Sequence, residues 1–432
     1  MIFQRLAGQR GLIRSSAVVF AGNSTARLLG FLFSVVAARV LGTQDFGRFA
    51  FGLTVASIAA ILVTNAPRGL SRFLAREDGD RRQQDNYFSN WLIVVALTFA
   101  VSAVLLGPIS LLAGIGGWMI VAVGANLLGV AAFETYREAQ RGLRRFSAMV
   151  IFYVAANLIQ LLTILLAASL GWRSPPLFLT IYGLSSLAAL ALMQQARPIA
   201  LSFLREVLAW RRVLSIIRFV RPLVVQTVFY ALWLGADIVL IGRILGPTAT
   251  GNYAAAKTLV TVLALGPLAI GIVTGPEVAQ LSQHGQHRLR RFVTVALAFT
   301  GAVTVPIAIG LVWFKQPIIL FLFGSKYPLA SRPLTVLVVG MTLYGFSLVL
   351  ENLWVGLGHP RIAAIASGLA MVSTVSLGLI LIPQIADMGA AIAYAAGAAA
   401  QLAVIGSFTV WVLYSGSIMR TQSFPDQGIL ES

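Results

Sequence analysis

Two positively charged residues of this sequence lie inside long apolar runs, where a charge is costly. Arg27 precedes Arg39 by about twelve residues, which corresponds to roughly 18 Å of helix, and Lys257 lies in a later run. An ionised group at the centre of a membrane span costs about 2.5 to 3.5 kcal/mol on insertion scales. Cations at that depth predict a site for an anionic ligand. For Arg27 the alternative is a structural bond to helix carbonyls or a carboxylate.

Polar residues near both cations repeat with helical spacing. The first set is Asn23, Arg27, Gly30 and Ser34, and the second is Gln226, Tyr230, Trp233 and Asp237. Each set forms one stripe along a helix, expected to face the protein interior. Asp237 and Lys257 lie at comparable distances from the turn at Gly246, which leaves two hypotheses open. They form a structural ion pair, or Lys257 binds the substrate anion while Asp237 tunes it or carries a coupling proton or cation.

Other charges gather at the ends of apolar runs. Arg68 and Arg72 follow the second run. Two hypotheses are open for them: they line a substrate vestibule, or they only anchor the helix end at the cytoplasmic side of the membrane. The cluster Glu134, Arg137, Glu138, Arg141 and Arg145 has the spacing of a helix end with paired charges. Polar residues within the runs, such as Asn126, Asn157, Gln160 and Gln401, are expected to share substrate specificity.

Catalytic chemistry finds no support in the sequence. There are 0 cysteines and 3 histidines, and no histidine lies near a candidate nucleophile. The glycine-rich stretch 114–117 lacks the Lys-Ser/Thr pair of a phosphate loop. We therefore expect neither an enzyme nor a cofactor or metal site.

Composition sets the fold class. Of 432 residues, 58% are hydrophobic and 11% are charged, and the mean hydropathy is +0.87. Soluble domains have roughly 25% charged residues. Continuous apolar runs, rather than alternating ones, predict an all-α polytopic membrane protein with about twelve spans of roughly 20 residues around a central cavity.

The formal charge of +18 is explained by membrane topology. Most of the 32 Lys and Arg residues fall at the N-terminus and in every second connection between spans. By the positive-inside rule these connections and both termini are cytoplasmic. The basic excess then faces the anionic inner leaflet and does not indicate a nucleic-acid partner.

A twelve-residue motif occurs twice. Residues 39–50 read RVLGTQDFGRFA, and residues 243–254 read RILGPTATGNYA. The repeat predicts six plus six helices, with both halves in the same orientation. The predicted organisation is an N-terminal six-helix half (1–196), a basic cytoplasmic linker (197–221), a C-terminal six-helix half (222–414) and a cytoplasmic tail (415–432).

The order of these motifs resembles a known family. Residues 38–50, followed by the GLSRFLAR stretch at 69–76, are similar to polysaccharide transporters of the O-antigen flippase type. These belong to the multidrug/oligosaccharidyl-lipid/polysaccharide exporter superfamily. The resemblance implies flipping of undecaprenyl-pyrophosphate-linked oligosaccharide from the cytoplasmic to the periplasmic leaflet of a bacterial inner membrane by alternating access. It also implies a cationic cavity, for which Arg27 and Lys257 are the candidates. Relatives that flip the peptidoglycan lipid precursor generally have two more helices and several cavity arginines, which this sequence lacks.

Other functions compete with this one. A drug or metabolite exporter of the same superfamily would share the fold but favour cations through uncompensated acidic residues. A membrane glycosyltransferase, polymerase or ligase would need a larger extramembrane loop, and an assembly protein would not need charges within its spans. The expected partners are the bilayer, the lipid-linked glycan and the polymerase or ligase machinery of the same pathway.

Overall fold

The computed structural model describes residues 2–77, 79–281 and 286–415, without the side chains of residues 2–18, 68, 72, 222–223, 272–273, 275–276, 279–280 and 415. In this part of the chain every regular element is helical. The helices are α1 (Ile2–Ala59), α2 (Ile61–Asn65), α3 (Leu70–Arg76), α4 (Arg81–Ala113), α5 (Trp118–Gly142), α6 (Phe146–Ser169), α7 (Pro175–Ala196), α8 (Trp210–Ile244), α9 (Pro247–Val260), α10 (Leu265–Leu281), α11 (Gln286–Trp313), α12 (Lys315–Phe323), α13 (Ser331–Gly356), α14 (Pro360–Ile385) and α15 (Asp387–Ser415). Short 3-10 turns occupy Ala66–Gly69, Arg205–Val207 and Thr261–Ala264. The predicted tail beyond residue 415 lies outside the described residues.

Helix lengths match a polytopic membrane protein. In the described chain, 11 helical stretches are long and apolar enough to cross a bilayer. The first, Val19–Ala59, has 41 residues, which amounts to about 60 Å of helix, twice a hydrocarbon core of roughly 30 Å. It is interrupted at Gly42, so it provides two spans. The predicted all-α fold with about twelve transmembrane helices is confirmed.

The first glycine of each repeated motif has the same backbone conformation. Gly42 has φ 76° and ψ 178°, and Gly246 has φ 85° and ψ −176°. A side chain would be strained in this conformation, which glycine adopts freely. Each glycine ends one long helix and starts the next, so the repeat seen in the sequence is also a repeat in structure.

The helices that follow these two glycines cross with their backbones so close that a side chain would not fit between them. A Cβ atom added to Gly47 would lie 1.8 Å from the carbonyl oxygen of Pro247. Reciprocally, a Cβ atom added to Gly251 would lie 1.9 Å from the carbonyl oxygen of Thr43. Each copy of the motif thus presents equivalent positions to the other, which makes the crossing locally two-fold symmetric. Small residues permit such close packing of membrane helices.

Contacts divide the described chain into two compact units. The first unit contains residues up to Val40 and Val55–Val224, and the second contains Leu41–Thr54 and residues from Val225 onward. The motif crossing therefore lies wholly within the second unit. The predicted functional division into two halves and a linker stays a prediction.

Aromatic residues form the core of the first unit. Trp91 is fully buried, and its indole N–H donates to the carbonyl of Ala66. The ring of Phe73 lies 5.3 Å from that of Trp91 and 5.6 Å from that of Phe219. This cluster joins α3 and α4 to the beginning of α8, and it contains no charged group.

The basic segment 197–221 is held against the first unit by side chains of α4. The Asp85 carboxylate accepts a hydrogen bond from the Ser202 N–H at 2.8 Å, and the side-chain Oδ1 of Asn90 accepts one from the Ala209 N–H at 3.0 Å. These bonds satisfy the N–H groups of two residues that lie outside any helix and therefore have no intrahelical acceptor. The segment is thus fixed in position, and α8 begins immediately after Ala209.

Candidate functional site

The Asp237–Lys257 pair forms a compact polar cluster in the second unit. The Lys257 ammonium lies 2.7 Å from both carboxylate oxygens of Asp237 and donates to the carbonyl of Leu234 at 2.6 Å. The other partners of the Asp237 carboxylate are the Tyr253 hydroxyl at 2.7 Å and the Ile238 N–H at 2.8 Å. The two charges neutralise each other within a network of neutral groups.

Burial decides what this pair is able to do. The Asp237 side chain has 0% exposure and the Lys257 side chain 12%. A lysine ammonium has three donors, and three acceptor atoms already surround that of Lys257. The ammonium also lies over the ring of Tyr394, 5.0 Å from its centroid. This geometry favours the structural ion pair over a role for Lys257 in substrate binding, and that second role stays a prediction.

The predicted stripe on α8 contacts its neighbours through aromatic rings. The hydroxyl of Tyr230 forms a hydrogen bond with that of Tyr344 on α13. Trp233 stacks on Tyr394 of α15, with ring centroids 5.7 Å apart and planes within 3°. Gln226 lies half-buried at the start of the stripe. The spacing therefore identified a face that packs between helices of the second unit.

The predicted stripe on α1 has a different environment in the first unit. The stripe itself approaches α6, because a Cβ atom at Gly30 would lie 3.2 Å from the Asn157 side chain. The neighbouring Phe33 contacts α7, where its ring centroid lies 5.6 Å from that of Tyr182. Arg27 is exposed, while Asn23 is half-buried. Across the described residues, no hydrogen bond or ion pair engages the Arg27 guanidinium. Its charge is thus available to a ligand.

Arg68 and Arg72 cannot be placed in the same way. Both side chains lie outside the described part of the chain. The backbone at these positions forms the 3-10 turn Ala66–Gly69 and helix α3. Their predicted role at a substrate vestibule stays a prediction.

A polar cavity of about 230 Å³ lies among α5, α6 and α7 of the first unit. Its polar lining residues include Asn126, Glu134, Arg137, Tyr153, Asn157, Gln160, Tyr182, Ser185 and Ser186. The sequence singled out several of these residues but did not indicate that they meet. The helical spacing of Asn126, Glu134 and Arg137 along α5 was the available signal.

The charged cluster predicted at the end of α5 forms one side of this cavity. The Arg137 guanidinium lies 2.5 Å from the Glu134 carboxylate and 3.5 Å from that of Glu138. Arg141 also approaches Glu138, at 3.5 Å. The predicted pairing of charges is confirmed for these four residues, and Glu134 and Arg137 also face a cavity. The prediction is wrong for Arg145, which lies beyond the end of α5 and donates to the carbonyl of Pro198.

A second buried network lies in the second unit. The carboxylate of Glu351 accepts hydrogen bonds from the Gln401 amide at 2.6 Å and the Ser367 hydroxyl at 3.1 Å. Gln401 and Ser367 are fully buried. Gln401 therefore belongs to a buried network rather than to an open polar surface, and its side-chain oxygen has no hydrogen-bond partner within the described chain. Across the described residues, no cluster of three potential metal-ligating side chains occurs.

Comparison with known proteins settles the family. A model of a family described as polysaccharide biosynthesis proteins matches residues 36–332, more than half of the 432-residue chain. The chain belongs to this family. It is 24% identical over 393 residues to the "Probable low-salt glycan biosynthesis flippase Agl15" of the archaeon Haloferax volcanii, a match that covers 89% of this chain and 80% of that protein.

Solved structures of similar fold are transporters. An inward-facing multidrug resistance MATE family transporter of the MOP superfamily matches with a TM-score of 0.75 and 15% identity, covering 91% of this chain and 96% of that one. The lipid II flippase MurJ in an inward closed conformation matches with a TM-score of 0.71 and 15% identity, covering 91% and 87%. This polysaccharide biosynthesis protein therefore has the fold of membrane transporters and flippases, not of enzymes.

Proposed function

We propose that this protein flips a polyprenyl-pyrophosphate-linked oligosaccharide from the cytoplasmic to the outer leaflet of a cytoplasmic membrane, by alternating access, for surface polysaccharide biosynthesis. Both termini are then cytoplasmic. Polymerase or ligase machinery acts on the product. The family assignment and the similarity to a named glycan biosynthesis flippase support a glycan substrate.

The observation that carries this proposal is the exposed guanidinium of Arg27. The residue lies within the membrane-spanning stretch Val19–Ala59. A charge at that position is stable only if it faces water, a partner or a ligand. A pyrophosphate crossing the hydrocarbon region needs charge-assisted donors, which arginine supplies in pairs. Asn23, one helical turn away, offers a neutral donor to the same group.

The α8 carboxylate that the drug-exporter alternative would use is already paired with a cation. Recognition of a cationic drug would need a carboxylate whose charge is not already cancelled. Asp237 is paired with Lys257 at 2.7 Å and its side chain has 0% exposure. Its charge is therefore not offered to a ligand.

The test is a flipping assay in liposomes with a fluorescent polyprenyl-pyrophosphate-linked oligosaccharide. We compare the wild type with Arg27→Ala, Arg27→Lys and the control Arg173→Ala, which changes an exposed arginine in the turn between α6 and α7. Hydrogen bonds to charged groups contribute about 1.5 to 3 kcal/mol. Arg27→Ala should therefore slow flipping at low substrate by roughly 10- to 150-fold.

The pattern across variants separates the possible explanations. Arg27→Lys keeps the charge and should retain part of the activity, and Arg173→Ala should match the wild type. Equal rates for the wild type and Arg27→Ala would remove Arg27 from the site. If folded wild-type protein moved no lipid-linked oligosaccharide faster than empty liposomes, the proposed function itself would be wrong.

A further inference from the structure

We infer that the cavity among α5, α6 and α7 is a carbohydrate-binding subsite that holds one uncharged sugar ring of the transported glycan. The inference rests on the proposed function and adds to it a place where the sugar is recognised. The cavity lies wholly within the first unit.

A buried amide of the cavity lacks a partner that the protein would be expected to provide. Asn126 is only 2% exposed, yet its side-chain nitrogen forms no hydrogen bond within the described chain. Gln160, from α6, is 4% exposed and lines the same cavity. A buried donor without an acceptor costs about 1 to 3 kcal/mol. An incoming group that carries acceptors would recover this free energy.

The charges around the cavity argue against a phosphate ligand. Arg137 is held by Glu134 at 2.5 Å and faces Glu138 at 3.5 Å. Its positive charge is therefore already compensated by carboxylates, which would repel a phosphate. A hydroxyl group, by contrast, donates to a carboxylate and accepts from a guanidinium or an amide. Uncharged sugars present many such hydroxyls.

Aromatic rings provide the other half of a sugar site. Phe133 and Tyr153 meet edge to face at 5.4 Å on the cavity wall, and Tyr182 joins them from α7. These rings offer an apolar surface against the C–H face of a pyranose. Ligand sites commonly combine such surfaces with a few placed polar groups.

The size of the cavity limits the ligand. The cavity volume is about 230 Å³, which lies just below the usual range for small-molecule sites, about 300 Å³ and above. That space holds one sugar ring with its hydroxyl groups, not an oligosaccharide. The remainder of the glycan and the pyrophosphate must lie elsewhere, which agrees with a separate anion site at Arg27.

The experiment measures sugar binding apart from transport. The probe is the oligosaccharide released by mild acid from the lipid-linked pool of host cells that lack this protein, and binding to purified protein is followed by saturation-transfer NMR. Asn126→Leu and Gln160→Met keep side-chain size while removing amide groups. The control Ser102→Ala removes a buried hydroxyl on α4 that also lacks a partner but does not line the cavity.

We expect each cavity variant to bind the free oligosaccharide about tenfold more weakly, equivalent to about 1.4 kcal/mol. Ser102→Ala should bind as the wild type does, and binding of polyprenyl pyrophosphate without sugar should be unchanged in all three variants. Undiminished sugar binding by folded Asn126→Leu and Gln160→Met would overturn the inference, because the cavity would then hold only water.

A second measurement does not depend on how well those variants fold. The chain has 0 cysteines, so Ser186→Cys places a single thiol on the cavity wall. The free oligosaccharide should slow its reaction with a small maleimide, and an unchanged rate would also refute the subsite. Sugar protection in a protein that fails to flip lipid-linked oligosaccharide would refute the proposed function while leaving the subsite standing.

Discussion

The ion pair between Asp237 and Lys257 offers a quantitative test of what stabilises the second unit. Lys257→Met keeps most of the side-chain volume but removes the ammonium that lies 2.7 Å from both carboxylate oxygens. Breaking a buried pair by removing one partner costs about 3 to 5 kcal/mol. The carboxylate keeps the Tyr253 hydroxyl and the Ile238 N–H as donors. We therefore expect the lower part of that range, about 3 to 4 kcal/mol.

The double variant Asp237→Asn/Lys257→Met removes both charges at once. A buried pair replaced by neutral groups of similar volume is often no less stable than the original. The double variant should therefore lie within about 1 kcal/mol of the wild type, and the two single changes should couple strongly. Lys326→Met, at an exposed position, serves as the control and should have little effect.

The assay is thermal unfolding of the purified protein in detergent. For a unit of this size, 1 kcal/mol shifts the midpoint by roughly 2 to 4 °C, so Lys257→Met should unfold about 6 to 16 °C earlier. A shift below about 2 °C, or a double variant as unstable as Lys257→Met, would refute the structural role. A double variant with restored stability but no flipping would instead show that the pair has a role in transport beyond stability.

Two further predictions concern packing and topology. Gly47→Ala should destabilise the protein by about 1 to 3 kcal/mol or more, because the new methyl group would lie 1.8 Å from the Pro247 carbonyl oxygen. Gly310→Ala points into open space and should be neutral or stabilising by up to about 1 kcal/mol. Equal unfolding midpoints for the two variants would contradict the close crossing. A single cysteine introduced as Gly116→Cys should react with a membrane-impermeant maleimide in intact cells, whereas Arg76→Cys should react only after permeabilisation. The reverse labelling pattern would invert the proposed orientation.

Much of the fold was predictable because it depends on local patterns. Apolar runs of the right length identified the spans, and the repeated motif identified the equivalent turns at Gly42 and Gly246. The sequence did not predict that residues 41–54 pack with the second unit. The packing of residues 41–54 with the second unit depends on the contact between Gly47 and Gly251, which are far apart in sequence.

The candidate site was less predictable, since it depends on how helices are rotated against one another. Comparable distances from the turn at Gly246 placed Asp237 and Lys257 near each other, but only the structure shows that the ammonium has its acceptors within the protein. The amides of Asn126 and Gln160 were recognisable as polar residues inside spans. Their convergence on one cavity requires the packing of α5 on α6 and α7, which no single-helix pattern contains.

The crossing of the two repeated motifs also constrains the order of events during synthesis. Leu41–Thr54 reaches the membrane early, yet its packing surface on α9 is translated about 200 residues later, which takes roughly 10 to 40 s at 5 to 20 residues per second. Throughout that interval Gly47 faces lipid or the insertion machinery instead of α9. A nascent chain that stops before Pro247 therefore lacks the surface on which Leu41–Thr54 packs, and it is not an independent folding unit. The yield of functional protein in a cell should therefore depend on translation speed and on how long that helix surface stays exposed.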